Sequence, residues 1–154
     1  MKTSLPLLLL SLLALACAAP AATPSPSPTP TPSGPLLTIE SRGGHCRDGP
    51  CGTTLILEFD GRVHESAKPP NELGVVEPDM VAALQQAIAE ADFEEIRSNP
   101  FTDECPVNFD GQELVLEFAT SDGVERLEGC QVAIDWNSPL FATVTTVMNP
   151  WFGR

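Results

Sequence analysis

Residues 55–63 read Leu55-Ile56-Leu57-Glu58-Phe59-Asp60-Gly61-Arg62-Val63 and join a strand pattern to a turn signal. Leu55, Leu57 and Phe59 recur at every second position, which is the spacing of a half-buried β-strand. Asp60-Gly61 is typical of a two-residue hairpin turn, and Arg62-Val63-His64 begins the returning strand. The stretch therefore predicts an antiparallel hairpin with one apolar face.

Segments on both sides of this hairpin repeat the strand pattern. Upstream, residues 37–41 alternate apolar and polar side chains and end at Gly43-Gly44. Downstream, residues 113–118 place Leu114, Leu116 and Phe118 on one face, and Ser121-Asp122-Gly123 turns the chain into residues 124–128. The sequence therefore predicts a second hairpin and at least one further strand.

Helix signals lie between the hairpins and after them. Pro78 suits the first position of a helix, and the apolar residues that follow recur on one helical face: Val81, Leu84, Ile88 and Ala91. Asp92 is expected either to lie in a continuation of this helix or to cap a separate turn. A last helix is predicted to begin at Pro139, with Asn137 or Ser138 as its cap, and to end at Pro150.

These elements predict an α+β fold in the order β-β-(β)-α-β-β-α. An antiparallel sheet of about four to five strands, built from two hairpins, carries two helices on one face. Residues 66–73 contain Pro69-Pro70-Asn71 and are predicted to form a loop. We expect residues 36–154 to form a single domain of this kind.

The N-terminus predicts export. A lysine at position 2 precedes the apolar run of residues 7–16, which is too short to span a membrane and is typical of a secretory signal peptide over residues 1–16. Leu13-Ala14-Leu15-Ala16-Cys17 resembles a bacterial lipobox, and the resemblance implies a lipid anchor, palmitate included, on Cys17. The alternative is simple secretion, since Ala14-Leu15-Ala16 also fits an ordinary cleavage site.

A proline-rich linker follows the anchor. Residues 17–35 contain Cys17 and a Pro/Ser/Thr-rich stretch without charged side chains, which cannot bury enough apolar surface to fold alone. Its prolines favour an extended chain that reaches on the order of 50 Å. We therefore expect the domain to stand away from the bacterial cell membrane or envelope surface to which the lipid holds it.

The charge of the chain limits its partners. The chain of 154 residues has a formal net charge of -13, and all 21 acidic residues and seven of the eight basic ones follow residue 35. A polyanion is repelled by nucleic acid and by anionic lipid surfaces. The membrane is therefore expected as a partner only through the lipid anchor, and nucleic acid is not expected at all.

Five cysteines fit one anchor and two bridges. Export implies an oxidising compartment, and with Cys17 lipidated the remaining four cysteines allow three pairings. We favour Cys46–Cys51, which closes a short turn, and Cys105–Cys130, which joins the segment after the first helix to a late strand. A zinc site that uses His45, Cys46 and Cys51 with Cys105 or Cys130 is the alternative.

No catalytic residue or cofactor is predicted. Neither the nucleophile motif G-x-S-x-G nor the zinc motif H-E-x-x-H occurs, and the two histidines, His45 and His64, are isolated in the sequence. Asp103, Glu104 and Asp110 do not have the spacing of a calcium loop and are predicted to be solvated. Trp136 is expected to cap the core, whereas Trp151 either packs on the sheet or is an exposed contact residue.

The residues Arg42-Gly43-Gly44 and the hairpin of residues 55–63 are similar to those of a group of small secreted bacterial domains. The pattern resembles emfourin-like proteins and related domains of unknown function found on lipoproteins, over about 110 residues. The resemblance implies inhibition of thermolysin-type metalloproteases, and so an extracellular protease as a possible protein partner.

Three functional hypotheses follow. The first is a lipid-anchored binding or inhibitory module with an acidic, disulfide-bonded domain and an unknown target. The second is a structural envelope lipoprotein without a ligand. The third is a secreted hydrolase of unrecognised type, which requires a concave pocket that gathers carboxylates.

Overall fold

Six antiparallel strands form one sheet, in the spatial order β4-β3-β2-β1-β5-β6. The computed structural model describes residues 34–46, 49–66 and 70–152. The strands are β1 (Pro35–Cys46), β2 (Gly49–Glu58), β3 (Arg62–Glu65), β4 (Glu72–Val75), β5 (Glu113–Thr120) and β6 (Gly123–Glu128). The helices are α1 (Pro78–Glu90), α2 (Phe93–Arg97) and α3 (Pro139–Met148), with short 3₁₀ turns at Pro106–Phe109 and Asn149–Trp151. The α+β class predicted from the sequence is confirmed.

Strand register places the apolar side chains on one face of the sheet. Leu37 in β1 lies opposite both Leu57 in β2 and Phe118 in β5, and Ile39 two residues later lies opposite Leu55 and Leu116. Because side chains alternate along a strand, these partners all point to the same side. The two hairpins predicted from the apolar alternation, β2-β3 and β5-β6, therefore lie on either side of β1 in the sheet.

The sixth strand is an element that the sequence pattern did not reveal. Residues 66–73 were expected to form a loop, but β4 begins at Glu72 and pairs with β3, with Arg62 opposite Val75. It is a four-residue edge strand with a glycine at position 74, too short and too poor in alternating apolar residues to be recognised. The sheet consequently has six strands rather than four to five.

The turn between β2 and β3 contains three residues, Phe59 to Gly61, instead of the two that were expected. The backbone N–H of Gly61 donates to the Glu58 carbonyl at 3.0 Å, and Gly61 has a φ of +89°. A Cβ atom at this position would lie 2.6 Å from the Val76 carbonyl oxygen. Glycine is therefore required both by the left-handed backbone and by the space available.

Two helices pack on the apolar face of the sheet, as predicted. The buried residues of α1 are Val81, Leu84 and Ile88, and those of α3 include Phe141, Val144 and Met148. They belong to the same core as Leu37, Leu57 and Phe118 of the sheet. No helix in the described residues has the length and apolar character needed to cross a membrane.

A short third helix follows α1 directly. Asp92 ends the α1 segment and caps α2, because its side chain accepts a hydrogen bond from the Glu95 backbone N–H at 2.9 Å. Phe93 at the start of α2 enters the core, where its ring centroid lies 5.6 Å from that of Phe118. The alternative of a separate capped turn is thus the one observed.

Both expected disulfides are present. Cys46 is bonded to Cys51 and Cys105 to Cys130, with Cα–Cα distances of 5.1 and 5.2 Å. The Cys46–Cys51 bond links the adjoining ends of β1 and β2, and the Cys105–Cys130 bond ties the chain before β5 to the chain after β6. The zinc alternative is excluded for these four cysteines because their thiols are already paired.

Candidate functional site

A groove of about 810 Å³ lies between α1 and the segment 133–143, which leads into α3. The lining residues on the α1 and α2 side are Ala83, Gln86, Ala87, Glu90, Ala91, Asp92, Glu95, Ile96, Ser98 and Asn99. Those on the opposite side are Ala133, Asp135, Ser138, Pro139, Leu140, Phe141 and Thr143. We call this feature the acidic groove, for the reason given below.

Small side chains on α1 create the space. Ala83, Ala87 and Ala91 recur every four residues and so lie along one stripe of the helix, beside the buried stripe that contains Leu84 and Ile88. Alanine leaves the helix backbone accessible where a longer side chain would fill the gap to α3. The bottom of the groove is consequently apolar, with Leu140 and Phe141 on the α3 side.

The rim of the groove is acidic. Its lining residues include four carboxylates and no lysine, arginine or histidine. The four carboxylates are those of Glu90, Asp92, Glu95 and Asp135. Arg97, the basic residue nearest along the chain, pairs instead with Glu125 and also donates to the Phe93 carbonyl. The rim therefore presents uncompensated negative charge to whatever enters the groove.

Hydrogen bonds hold three of these carboxylates in place. Asp92 accepts from the Glu95 backbone N–H at 2.9 Å, and Asp135 accepts from the Asn137 backbone N–H at 3.0 Å. Glu90 accepts from the Gln86 side-chain amide one helical turn earlier, at 2.8 Å. Their positions are thus set by the backbone or by a neighbouring side chain, so the pattern of negative charge is largely preformed.

Ser138 lies at the α3 side of the groove, at the position that caps the helix. Its side chain makes no capping hydrogen bond, and its Oγ is the buried side-chain polar atom without a partner in the described part of the chain. Cap serines normally accept from a backbone N–H in the first turn. The fold therefore leaves the hydrogen-bonding capacity of this buried hydroxyl, beneath the wall of the groove, unused.

The two tryptophans have different environments. Trp151 is only 8% exposed, and atoms of its indole ring approach the position of a Cβ on Gly74 to 3.4 Å. Of the two alternatives for Trp151, packing is the one observed, and the alternative of an exposed contact residue is not. Trp136 is 40% exposed while its ring packs edge-on against Phe141, with centroids 5.8 Å apart, which agrees with a residue that caps the core.

The face of the sheet away from the helices carries an ion-pair network. Arg42 bonds to Glu113 at 2.9 Å and to Glu128 at 2.8 Å, and Arg126 pairs with Glu128 and Glu117. The hydrogen bond from Arg126 is the main reason that the pKa of Glu128 is lowered, and the two acids in turn raise the pKa of Arg126. The network balances much of its own charge.

Two details indicate that this network stabilises the fold. Glu113 is only 7% exposed and also accepts a hydrogen bond from the Cys130 backbone N–H at 3.0 Å. Val115 alternates with core residues and points to the opposite face, yet it is only 1% exposed, and its cross-strand partners on that face are Glu40 and Glu128. We therefore assign the network a structural role.

Both disulfides lie near one end of the sheet, together with an exposed aromatic residue. The segment of residues 106–110 packs against the end of β1. A Cβ atom on Gly43 would lie only 2.5 Å from the Val107 side chain, and His45 Nδ1 lies 2.9 Å from Asp110 Oδ1. Phe109 in this segment is 66% exposed.

The acidic residues weighed for calcium do not converge. Asp103 and Glu104 are exposed, and Asp110 is hydrogen-bonded to His45. Across residues 34–46, 49–66 and 70–152, no group of three or more histidine, cysteine, aspartate or glutamate side chains is arranged to hold a metal ion. The other histidine, His64, is half-buried with its Nε2 2.9 Å from Glu58 Oε1.

The signal peptide, Cys17 and the linker up to residue 33 lie outside the described residues. Comparison with known protein families gives no match to this chain, and comparison with curated proteins gives none either.

The acidic groove was not predicted from the sequence. Its signal was present as alanines at positions 83, 87 and 91 followed closely by Asp92 and Glu95. The same pattern is also typical of an ordinary solvated helix. The α1 helix forms one wall of a groove only because α3 lies opposite it.

Proposed function

We propose that the chain is a lipid-anchored protein of the bacterial cell envelope whose domain binds another protein. The acidic groove carries this proposal, because it combines an apolar bottom with a largely preformed pattern of negative charge at its rim. Such a combination is typical of a recognition site, in which apolar contact gives affinity and fixed charges give selectivity. The linker supports the proposal, since a domain held at some distance from its anchor can reach a partner on or near the membrane.

An inhibitory role is the form of binding that the sequence resemblance favours. If the partner is an extracellular protease, occupation of the groove by a segment of that enzyme holds the two proteins together and blocks access to its active site. The disulfides at one end of the sheet support this role, because a cross-linked domain resists unfolding and hence cleavage. The proposal itself requires only binding and is tested as binding.

The anchor is tested by metabolic labelling. Cells that express the full-length chain are grown with radiolabelled palmitate, and the protein is recovered from the membrane fraction. We expect label in the wild-type chain and its loss, with release from the membrane, in Cys17→Ala. Cys17→Ala protein that keeps the label would contradict lipidation at this residue, whereas an unlabelled, freely secreted wild type would show export without an anchor.

The binding surface is tested by photo-crosslinking in intact cells. The photoreactive residue p-benzoyl-phenylalanine replaces either Gln86, which lines the groove, or Gln85, an exposed neighbour on the same helix that does not line it. We expect a discrete crosslinked partner from position 86 and none from position 85. Identical crosslinking patterns from the two positions, or no product from either, would contradict binding through the groove.

A further inference from the structure

The residues that line the acidic groove favour an occupant that has both apolar groups and positive charge. Among the lining residues the charged side chains are four carboxylates, while the bottom is formed by alanine, isoleucine, leucine and phenylalanine side chains. An occupant that lacks apolar groups would leave the bottom in contact with water. An occupant that lacks positive charge would remove water from the carboxylates without replacing the lost hydration, which is unfavourable.

Positive charge on the occupant satisfies the rim. The carboxylates are exposed, so a lysine or arginine can pair with them without being buried, and the desolvation cost of a buried ion pair is avoided. At physiological salt, charges interact over roughly 8 Å, which is comparable to the dimensions of the groove. The formal net charge of -13 on the whole chain adds longer-range attraction for a cationic partner.

We propose that the acidic groove binds an exposed polypeptide segment of a partner protein in which large apolar side chains are flanked by lysine or arginine. This inference rests on the proposed function, that the domain binds a protein, and names the chemistry of the partner. The volume of about 810 Å³ lies within the range of sites that enclose a ligand of several side chains.

Other occupants fit the groove less well. A second copy of this chain would bring its own excess of acidic residues toward the rim, because the domain contains 21 acidic residues. An anionic membrane surface is repelled for the same reason. An uncharged apolar ligand could contact the bottom but would make no use of the four carboxylates, three of which hydrogen bonds hold in position.

The test uses labelled synthetic peptides and the full-length chain in a non-ionic detergent. The first probe is Lys-Leu-Phe-Lys-Leu-Phe-Lys, which has both apolar and cationic groups. The second replaces each lysine with glutamate, and the third keeps the lysines but replaces leucine and phenylalanine with serine. Fluorescence anisotropy is measured at about 20 and about 500 mM NaCl, because interactions between exposed charges are strong at the lower salt concentration and largely screened at the higher one.

We expect the first peptide to bind at least about tenfold more tightly than either of the others, because only it matches both parts of the groove. Its binding should weaken severalfold at the higher salt concentration, since the rim pairs are exposed. Equal binding of the serine peptide would show attraction by net charge alone, and equal binding of the glutamate peptide would show apolar adhesion alone. Either result, or no binding of any probe, overturns the proposal.

Two matched pairs of variants locate the binding. Glu95→Lys reverses a charge on the rim, whereas Glu94→Lys makes the same change at an exposed neighbour outside the groove. Ala83→Trp fills the groove, whereas Ala89→Trp adds the same side chain to another exposed face of α1. We expect the first member of each pair to weaken binding of the first peptide at least about tenfold, and the second member less than about twofold.

Failure of this inference is separable from failure of the proposed function. If Gln86 crosslinks a partner in cells but the peptide preference is absent, the domain binds a protein through the groove and the assigned chemistry is wrong. If the peptides bind as expected but no partner is crosslinked in cells, the groove chemistry is right and the proposed envelope function is wrong. Thermal unfolding of each variant confirms that it is folded at the assay temperature.

Discussion

Asp92 accepts a hydrogen bond from the backbone N–H of Glu95 at 2.9 Å, and both side chains lie on the rim of the acidic groove. The bond caps α2, so the same carboxylate that stabilises the helix also contributes negative charge to the groove. It also fixes where the chain turns after α1, which determines the position of Glu95. Local helix capping and the electrostatics of the candidate site are therefore properties of one small segment.

Truncation of Asp92 and of Ser138, the residues at the caps of α2 and α3, should change the free energy of unfolding by different amounts. Asp92→Ala is expected to lower the free energy of unfolding by about 1 kcal/mol, because the α2 cap is lost. Ser138→Ala should change it by less than about 0.5 kcal/mol, because the Ser138 side chain makes no capping bond and its buried Oγ has no partner. Urea denaturation measures both; a larger loss for Ser138→Ala would show that its hydroxyl is bonded in solution.

Glu113 should be the most important acid of the ion-pair network for stability. Glu113→Ala leaves Arg42 Nε and the Cys130 backbone N–H without their acceptor, while the bond from Arg42 to Glu128 remains, and we expect a loss of about 2 kcal/mol in the free energy of unfolding. Glu117→Ala, in the same strand and with a more exposed side chain, should cost at most about 0.5 kcal/mol. Equal losses measured by urea denaturation would argue against a special role for Glu113.

Glu128 should make stability depend on pH in the acid range. Its pKa in the folded protein is lowered from the ordinary value of 4.5, mainly by the hydrogen bond from Arg126. The unfolded chain therefore binds a proton at higher pH than the folded chain does, so the stabilisation is complete above about pH 4.5 and is lost as pH falls through the folded pKa. Urea unfolding from pH 7 to pH 2.5 should show this loss, and Glu128→Gln should show a flatter profile.

The two disulfides should stabilise the domain to different degrees. Cys105 and Cys130 are 25 residues apart in sequence, whereas Cys46 and Cys51 are five apart. Chain-entropy estimates give about 3.5 kcal/mol for the longer loop and about 2 kcal/mol for the shorter one. We therefore expect the double serine variant at positions 105 and 130 to have a lower melting temperature in calorimetry than the double serine variant at positions 46 and 51. The reverse order would contradict this estimate.

Much of the fold was predictable because it rests on local patterns. The hairpin around Gly61, the start of α1 at Pro78 and the cap at Asp92 each have a signal within a few residues. The pairing of the four domain cysteines was also anticipated, since a bond between Cys46 and Cys51 leaves Cys105 with Cys130. These features need no knowledge of how distant segments pack.

The remaining features depend on tertiary packing. β4 is defined by its pairing with β3 and not by its composition, and Trp151 is buried because Gly74 in that strand leaves room for its ring. The acidic groove likewise depends on how closely α3 approaches the small residues of α1. The ion pair between Arg42 and Glu113 joins residues 71 positions apart, so no local pattern indicates it.

Binding in the acidic groove can be located residue by residue in an NMR titration of the ¹⁵N-labelled full-length chain with Lys-Leu-Phe-Lys-Leu-Phe-Lys. We expect the largest backbone amide shifts at residues on both walls of the acidic groove, namely Ala83, Ala87, Ile96, Ala133 and Leu140. Thr38 and Ile56, on the opposite face of the sheet, should remain unchanged. Shifts concentrated at Thr38 and Ile56, or around the exposed Phe109, with the groove amides unaffected, would contradict the assignment of the groove as the binding site.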